Sequence, residues 1–412
     1  MKIKYTFLEA VLIGASVVCG LYYQAFNYGT MAKAVSIGLG AVSILLYAIT
    51  SKGRNRVFYF WLLFCGFMAA IGFVSTSKWP EHSYTFVRLD LSSVVFILTG
   101  LILADSRFER YRYAIFKIIL FSALFAGIGA LLQFSQGANM LTDRYAAISG
   151  NSRSYVLWGL TCNVFAYAGY TAIFSKKLRS VKVAVVLLYV FLGLLFQKRS
   201  VVVNAFVLCI VGTIVYIRNH NTRNLIKKIG TTIGIIGFLL VLLALVYRFV
   251  PQIQTLVDNT LLRITSADLE NYDRSREGNR YLENSSIFEL ILGYGIGHYF
   301  SDYLGLHGML HIGYYNALYK GGIIYIGFLV YVAWKTIRAF CNASNLKPYS
   351  LACLCITISA LFSMIFELSW GETILLFCYM PFIGHICMLD KYDIQGKRNT
   401  ENYDSERFEN EF

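Results

Sequence analysis

Long apolar runs separated by short polar segments dominate the chain from about residue 6 to residue 389. Most runs hold about 20 residues, the length at which an α-helix crosses the hydrocarbon core of a bilayer. The apolar segment 183–217 is longer than one crossing and carries the letters QKRS at 197–200, so the pattern predicts two helices there. The twelve predicted helices cover about 6–24, 31–49, 57–75, 86–104, 114–135, 154–174, two runs within 183–217, 229–250, 319–337, 349–366 and 372–389.

Composition supports the same class of protein. Of the 412 residues, 57% are hydrophobic and 15% are charged. A soluble domain does not need so much apolar surface, so we predict an all-α polytopic membrane protein with about 12 transmembrane helices. The net charge of +14 is concentrated in short loops, which is typical of cytoplasmic anchoring and argues against nucleic-acid binding.

The basic loops all fall on one side of the membrane when the twelve helices are counted in order. Because short loops rich in lysine and arginine stay in the cytoplasm, both termini are predicted to be cytoplasmic. One large polar loop, between the ninth and tenth helices, then faces outward, toward the periplasm if there is one. The predicted parts are 1–250 (spans one to nine), 251–318 (the external loop with the candidate site), 319–389 (spans ten to twelve) and 390–412 (a disordered cytoplasmic tail).

Several arginines lie in this loop, although an external loop does not need positive charge to set the topology. Arg276 and Arg280 would share one face of a helix at i, i+4 spacing. A guanidinium group can donate hydrogen bonds to two oxygens at once and therefore suits a diphosphate. The alternative is a solvated surface in which Asp273, Glu277 and Glu283 pair with these arginines.

Further cations are predicted on the same side of the membrane. Lys198 and Arg199 lie between two short apolar runs, where a cation at bilayer depth costs about 2.5–3.5 kcal/mol. They either reach lipid phosphates from a helix end or form an anion site. Arg144, in the loop 136–153, could join that site.

Three histidines, His298, His307 and His311, lie in the large loop. His311 stands one turn before the tenth apolar run and on the same helical face as Tyr315, so it could take a proton from a hydroxyl group near neutral pH. A hydrogen-bonded structural role is the alternative. The histidine spacings match no metal motif, and no metal site is predicted. Glu367, at a predicted external turn, could orient His311 or act as a second base.

Gly293, Gly295 and Gly297 lie in ILGYGIGHYF. A nucleotide-binding glycine loop requires a surrounding βαβ unit, which the apolar pattern does not predict here. We instead expect these glycines to permit a turn or a close backbone approach beside the site.

Three segments resemble motifs of the bacterial O-antigen polymerase and O-antigen ligase superfamily. FQKRSVVVNAF (196–206) is similar to a helix-start motif that ends in Ser-Arg. ILGYGIG (291–297) resembles a Gly-Tyr-Gly-x-Gly segment, and HIGYYNALYKGGIIYIG (311–327) resembles a segment that begins with histidine and ends in Gly-Ile-x-Gly. Two positions depart from the pattern: Ile312 stands where asparagine often follows the histidine, and Lys198 where a small residue is usual.

The resemblance implies the fold of C-type membrane glycosyltransferases and a metal-independent, inverting glycosyl transfer without a cofactor. Undecaprenyl-diphosphate-linked repeat units would be donor and acceptor, and the product would be O-antigen or capsular polysaccharide. By matching positions, Arg199 and Arg280, with Arg276, would hold the diphosphate, and His311 would take or position the acceptor's proton. Lys198, Tyr315, His307, Arg144 and Glu367 would be supporting residues.

The same resemblance implies a bacterial inner-membrane location, with the bilayer, a chain-length regulator and a flippase as partners. An O-antigen ligase, which transfers the glycan to the lipid A core, is the nearest alternative. A flippase or another transporter of lipid-linked oligosaccharides is the alternative from a different class. Transporters place charged residues at mid-membrane depth. Charges here avoid the centres of the predicted spans, which favours an enzyme.

Overall fold

A computed structural model describes most of the apolar part of the chain. It covers residues 2–26, 30–51, 53, 55–76, 80–135, 164–195, 199–219, 278–302, 305–307, 310, 312–365 and 373–389, together with the single positions 248, 254 and 258.

Helices make up nearly all of the described chain. They are α1 (Lys2–Phe26), α2 (Thr30–Thr50), α3 (Arg56–Thr76), α4 (Pro80–Ala104), α5 (Glu109–Ser135), α6 (Val164–Phe174), α7 (Arg179–Leu195), α8 (Arg199–Asn219), α9 (278–284), α10 (Ile287–Leu292), α11 (Gly313–Cys341), α12 (Pro348–Ser363) and α13 (Thr373–Met388). Strands β1 (Phe300–Asp302) and β2 (Gly305–His307) form a small antiparallel ribbon, with Phe300 opposite His307.

Within the described residues, four helical segments are long and apolar enough to cross a bilayer: Met31–Thr50, Arg56–Ser75, Ser106–Leu132 and Gly313–Cys341. Shorter apolar helices pack around them. The protein is therefore a membrane-embedded helical protein.

Most described helices match predicted apolar runs, whereas the short helices α9 and α10 lie within the predicted loop 251–318. The first five runs coincide with α1 to α5. The predicted split of 183–217 is confirmed because α7 and α8 pack against each other, with Asn204 Nδ2 donating to the Tyr189 hydroxyl at 3.1 Å. The ninth run lies outside the described residues except at its end, and the tail 390–412 lies wholly outside them.

Small residues let neighbouring helices approach closely. Ser16 of α1 and Ser36 of α2 exchange hydrogen bonds, each hydroxyl donating to the other residue's carbonyl at 2.7 and 2.6 Å. A Cβ at Gly100 of α4 would lie 2.8 Å from Met380, and one at Gly384 would crowd α4 from the other side. Such small-residue contacts are the usual means of helix association in membranes.

An aromatic cluster ties α3 to α11. Trp61 packs edge-to-face on Tyr325 and Phe328, with ring centroids 5.2 and 5.1 Å apart, and Phe64 adds a further edge contact with Tyr325 at 5.8 Å. This packing fixes α11 against α3 on the C-terminal side of Gly322. The N-terminal part of α11 and the end of α3 then frame the candidate site.

Candidate functional site

Helix α11 is broken at Gly322, and the break creates the site. Gly322 has φ 59° and ψ −155°, a conformation that is almost restricted to glycine. A side chain there would also collide with the carbonyl of Ile291 at the end of α10. Because the helical ladder is interrupted at this point, carbonyls in the preceding turn are open to donors from another segment.

That other segment is residues 293–298, which we call the glycine strap. Gly293, Gly295 and Gly297 all have positive φ, at 77°, 75° and 83°. Gly295 lies directly against the backbone of α3, so closely that a side chain would collide with it. The prediction that these glycines permit close backbone approach is therefore confirmed.

Four consecutive N–H groups of the strap donate hydrogen bonds to buried acceptors. Their partners are the carbonyls of Tyr319 (2.7 Å from Tyr294 N), Lys320 (3.0 Å from Gly295 N) and Met68 (3.1 Å from Ile296 N), and Oδ2 of Asp90 (2.7 Å from Gly297 N). Irregular backbone inside a membrane protein is tolerated only where its polar groups are satisfied within the protein. The strap meets that condition by using α3, α4 and α11 together.

A buried ion pair lies beside the strap. Lys320 Nζ is 2.7 Å from Asp90 Oδ2, and the two side chains are 1% and 6% exposed. Asp90 lies about 15 Å along α4 from its first residue, and Lys320 lies about 10 Å along α11. Both residues lie near the beginning of the predicted apolar runs 86–104 and 319–337, and two opposite charges can be buried together when they neutralise each other.

Aromatic side chains surround the last residue of the strap. His298 Nδ1 shares a hydrogen bond of 2.6 Å with the hydroxyl of Tyr319, and its ring stacks on Tyr294 at 4.2 Å. Tyr281 of α9 packs edge-on against Tyr319 at 5.5 Å. Burial raises the pKa of both Tyr281 and Tyr294, so their phenols stay neutral at physiological pH.

Helix α9 brings Arg280 to this cluster. Gly278 is buried against the ring of Tyr315, where an added Cβ would lie 2.6 Å from the nearest ring carbon. The half-buried Arg280 therefore lies next to Tyr281 in a helix that packs on the first turn of α11. Helix α9 and the first turn of α11 are therefore in contact.

The start of α11 is anchored by a buried amide. Asn316 Oδ1 accepts a hydrogen bond of 3.0 Å from the backbone N–H of Leu310, which precedes His311. His311 itself lies outside the described residues, but the residues on both sides of it are held against α11.

The other predicted site residues are described in part or not at all. Arg199 begins α8 and His307 lies in β2 opposite Phe300, but their side chains are not among the described ones. Lys198, Arg276, Arg144, Glu367 and His311 lie outside the described residues.

Sequence reasoning missed Asp90 and Lys320. The signal was one acidic residue in the apolar run 86–104 and a basic residue at the start of the run 319–337. Of the residues that the structure describes, no group of three histidine, cysteine or acidic side chains could hold a metal ion.

Comparison of the chain with protein-family models, with curated proteins and with solved structures finds no match.

Proposed function

We propose that the protein polymerises undecaprenyl-diphosphate-linked oligosaccharide repeat units into O-antigen or capsular polysaccharide. The observation that carries the proposal is the packing of α9, which bears Arg280, on the first turn of α11, which follows His311. An arginine on a helix packed against the start of α11, together with a histidine two positions before that helix in the sequence, suits a lipid diphosphate and an attacking hydroxyl group. The motif resemblance of residues 291–297 and 311–327 supports the same reaction.

In this reaction the acceptor hydroxyl oxygen forms a bond to the anomeric carbon of the donor sugar. The bond from that carbon to the diphosphate oxygen breaks, and its electron pair leaves with undecaprenyl diphosphate. Arg199, Arg280 and Arg276 hold the departing charge, since charge-assisted hydrogen bonds are each worth about 1.5–3 kcal/mol. His311 takes the hydroxyl proton, an effect worth about 10²–10⁴ in rate.

The proposed topology has twelve spans, cytoplasmic termini and a site facing outward from the bacterial inner membrane. The distribution of charge supports it. Many described cations, including Arg107, Arg112, Lys182, Arg218 and Arg338, lie at or near the bundle end opposite the strap, where short basic loops are expected to remain in the cytoplasm.

A deletion strain complemented with variants tests the reaction. Arg280→Ala is expected to abolish long-chain glycan on a gel while the protein remains in the membrane, because one ligand of the diphosphate is lost. Arg218→Ala, at the opposite end of the bundle, is the matched control and is expected to give wild-type chain lengths. A normal ladder from Arg280→Ala contradicts the assignment.

The deletion strain itself separates the classes of function. A single repeat unit on the lipid A core indicates a lost polymerase. Complete polymer retained on the lipid carrier indicates a lost ligase.

One observation favours a transporter of lipid-linked oligosaccharides as the second candidate, namely the buried Asp90–Lys320 pair. Loss of such a transporter leaves unpolymerised repeat units on the cytoplasmic side, with none on the core.

A further inference from the structure

One carboxylate oxygen connects three separate parts of the chain. Asp90 Oδ2 accepts both the Gly297 N–H and the Lys320 ammonium, each at 2.7 Å. Asp90 belongs to α4, Lys320 to α11 and Gly297 to the strap, and more than 200 positions of sequence separate Asp90 from the other two. The position of the strap therefore depends on Asp90 Oδ2, the same atom that forms the ion pair between α4 and α11.

Stability alone does not explain this ion pair. Burying two charges costs several kcal/mol per ion, and replacing a buried pair by apolar side chains of similar volume is often neutral or stabilising. The carboxylate does provide an acceptor for Gly297. Without it, the buried Gly297 N–H would lose this acceptor, and an unpaired buried backbone donor is costly.

Contacts continue from the ion pair to α9. The carbonyl of His298, the residue after Gly297, lies 3.4 Å from Lys320 Nζ. The His298 ring binds the hydroxyl of Tyr319, and Tyr319 packs on Tyr281, the neighbour of Arg280. A displacement of Gly297 would thus shift the surface on which α9 rests.

We propose that Asp90 and Lys320 are positioning residues for the transfer reaction, with Asp90 holding the strap through Gly297 and Lys320 compensating its charge. Neither residue contacts the substrate. Their role is to fix His298, Tyr319 and the helix of Arg280 relative to the start of α11. This inference rests on the proposed function for its effect on catalysis, but its effect on the strap does not depend on that function.

Two double variants isolate the contribution of the acceptor oxygen. Asp90→Leu/Lys320→Met removes the ion pair and the acceptor for Gly297. Asp90→Asn/Lys320→Met also removes the ion pair but keeps an oxygen that can accept from Gly297. If the pair served stability alone, the two variants would behave alike. Should the first variant not reach the membrane, Asp90→Ala/Lys320→Met removes the same acceptor with a smaller side chain.

The first measurement is hydrogen–deuterium exchange of a peptide covering residues 293–298, which needs no substrate. Exchange is expected to rise at least tenfold in Asp90→Leu/Lys320→Met and to stay within threefold of wild type in Asp90→Asn/Lys320→Met. Equal exchange in the two variants overturns the inference.

The second measurement is transfer by purified protein in vesicles with a lipid-linked repeat unit. Asp90→Leu/Lys320→Met is expected to lower kcat at least tenfold, with KM for the donor within twofold of wild type. Asp90→Asn/Lys320→Met is expected to keep at least a third of the wild-type rate. Equal rates overturn the positioning role.

Asp105→Asn, which breaks the Asp105–Arg107 pair elsewhere in the bundle, is the control and should leave transfer unchanged. If the wild-type protein shows no transfer, the proposed function fails, while exchange still tests the strap.

Discussion

At the scale of single residues, glycines determine where the backbone of the site can run. Gly322 allows α11 to break, and the strap glycines allow a second segment to enter the break. Gly293, Gly295 and Gly322 each combine a positive φ with a neighbour too close for a side chain. A substitution at such a position therefore carries two costs, one in the backbone and one in packing.

Gly322→Ala should lower the free energy of unfolding by at least about 1–3 kcal/mol, the cost of a non-glycine residue in this conformation. The collision of its Cβ with the Ile291 carbonyl adds to that cost. Thermal unfolding in detergent measures the effect. Gly327→Ala is the matched control in the same helix, because nothing lies within 4 Å of its added Cβ, and it should be neutral or slightly stabilising. Equal melting temperatures for the two variants would contradict this account.

The residue scale also shows the limits of sequence reasoning. The strap glycines could be identified because Gly-x-Gly-x-Gly has few structural explanations. Asp90 and Lys320 could not be paired from the sequence, because they are 230 positions apart and only the folded structure brings their side chains together. Once paired, each buried charge is neutralised by the other, which offsets part of the cost of burying either alone.

At the scale of elements, α10 shows that a carboxylate in the loop has a structural role. Glu289 closes a capping box: its Oε2 accepts a hydrogen bond from Ser286 N at 2.7 Å, and its own N–H donates to the Ser286 hydroxyl at 3.3 Å. This cap sets the start of α10, whose last residue leads into the strap.

Glu289→Gln should therefore keep near wild-type glycan length, because an amide oxygen can also accept from Ser286. Glu289→Ala should lose about 0.5–2 kcal/mol of local stability through the broken cap. Glycan gels and exchange of α10 amides measure the two effects. A general base at this position would instead lose about 10²–10⁴ in rate in both variants.

Helices and the strap differ in how far the sequence predicts them. Apolar length and loop charge are local signals, and they located α1 to α5, the break between α7 and α8, and α11 to α13. The path of the strap is set by acceptors on α3, α4 and α11. Those acceptors are distant from one another in sequence, so their proximity to the strap is evident only from the folded structure.

At the scale of the whole molecule, the two ends of the bundle differ in character. The strap end holds the irregular backbone, the aromatic cluster and Arg280. The opposite end holds the Asp105–Arg107 pair and the side chain of Arg112, which donates to the Leu103 carbonyl at 2.9 Å and stacks over Tyr349. Hydrogen bonds from Arg107 outweigh partial burial and lower the pKa of Asp105, so this pair stays ionised.

This asymmetry predicts opposite membrane sides for Asn284, at the end of α9, and Lys347, between α11 and α12, both of which are exposed. In a background without reactive native cysteines, Asn284→Cys should react with a membrane-impermeant maleimide added to intact spheroplasts. Lys347→Cys should react only after permeabilisation, because short basic loops stay in the cytoplasm. Lipid-linked glycan is joined to polymer on the outer face in the proposed reaction, so Arg280 must be reachable from there. Labelling of Asn284→Cys only after permeabilisation would place Arg280 on the cytoplasmic face and exclude the proposed polymerase.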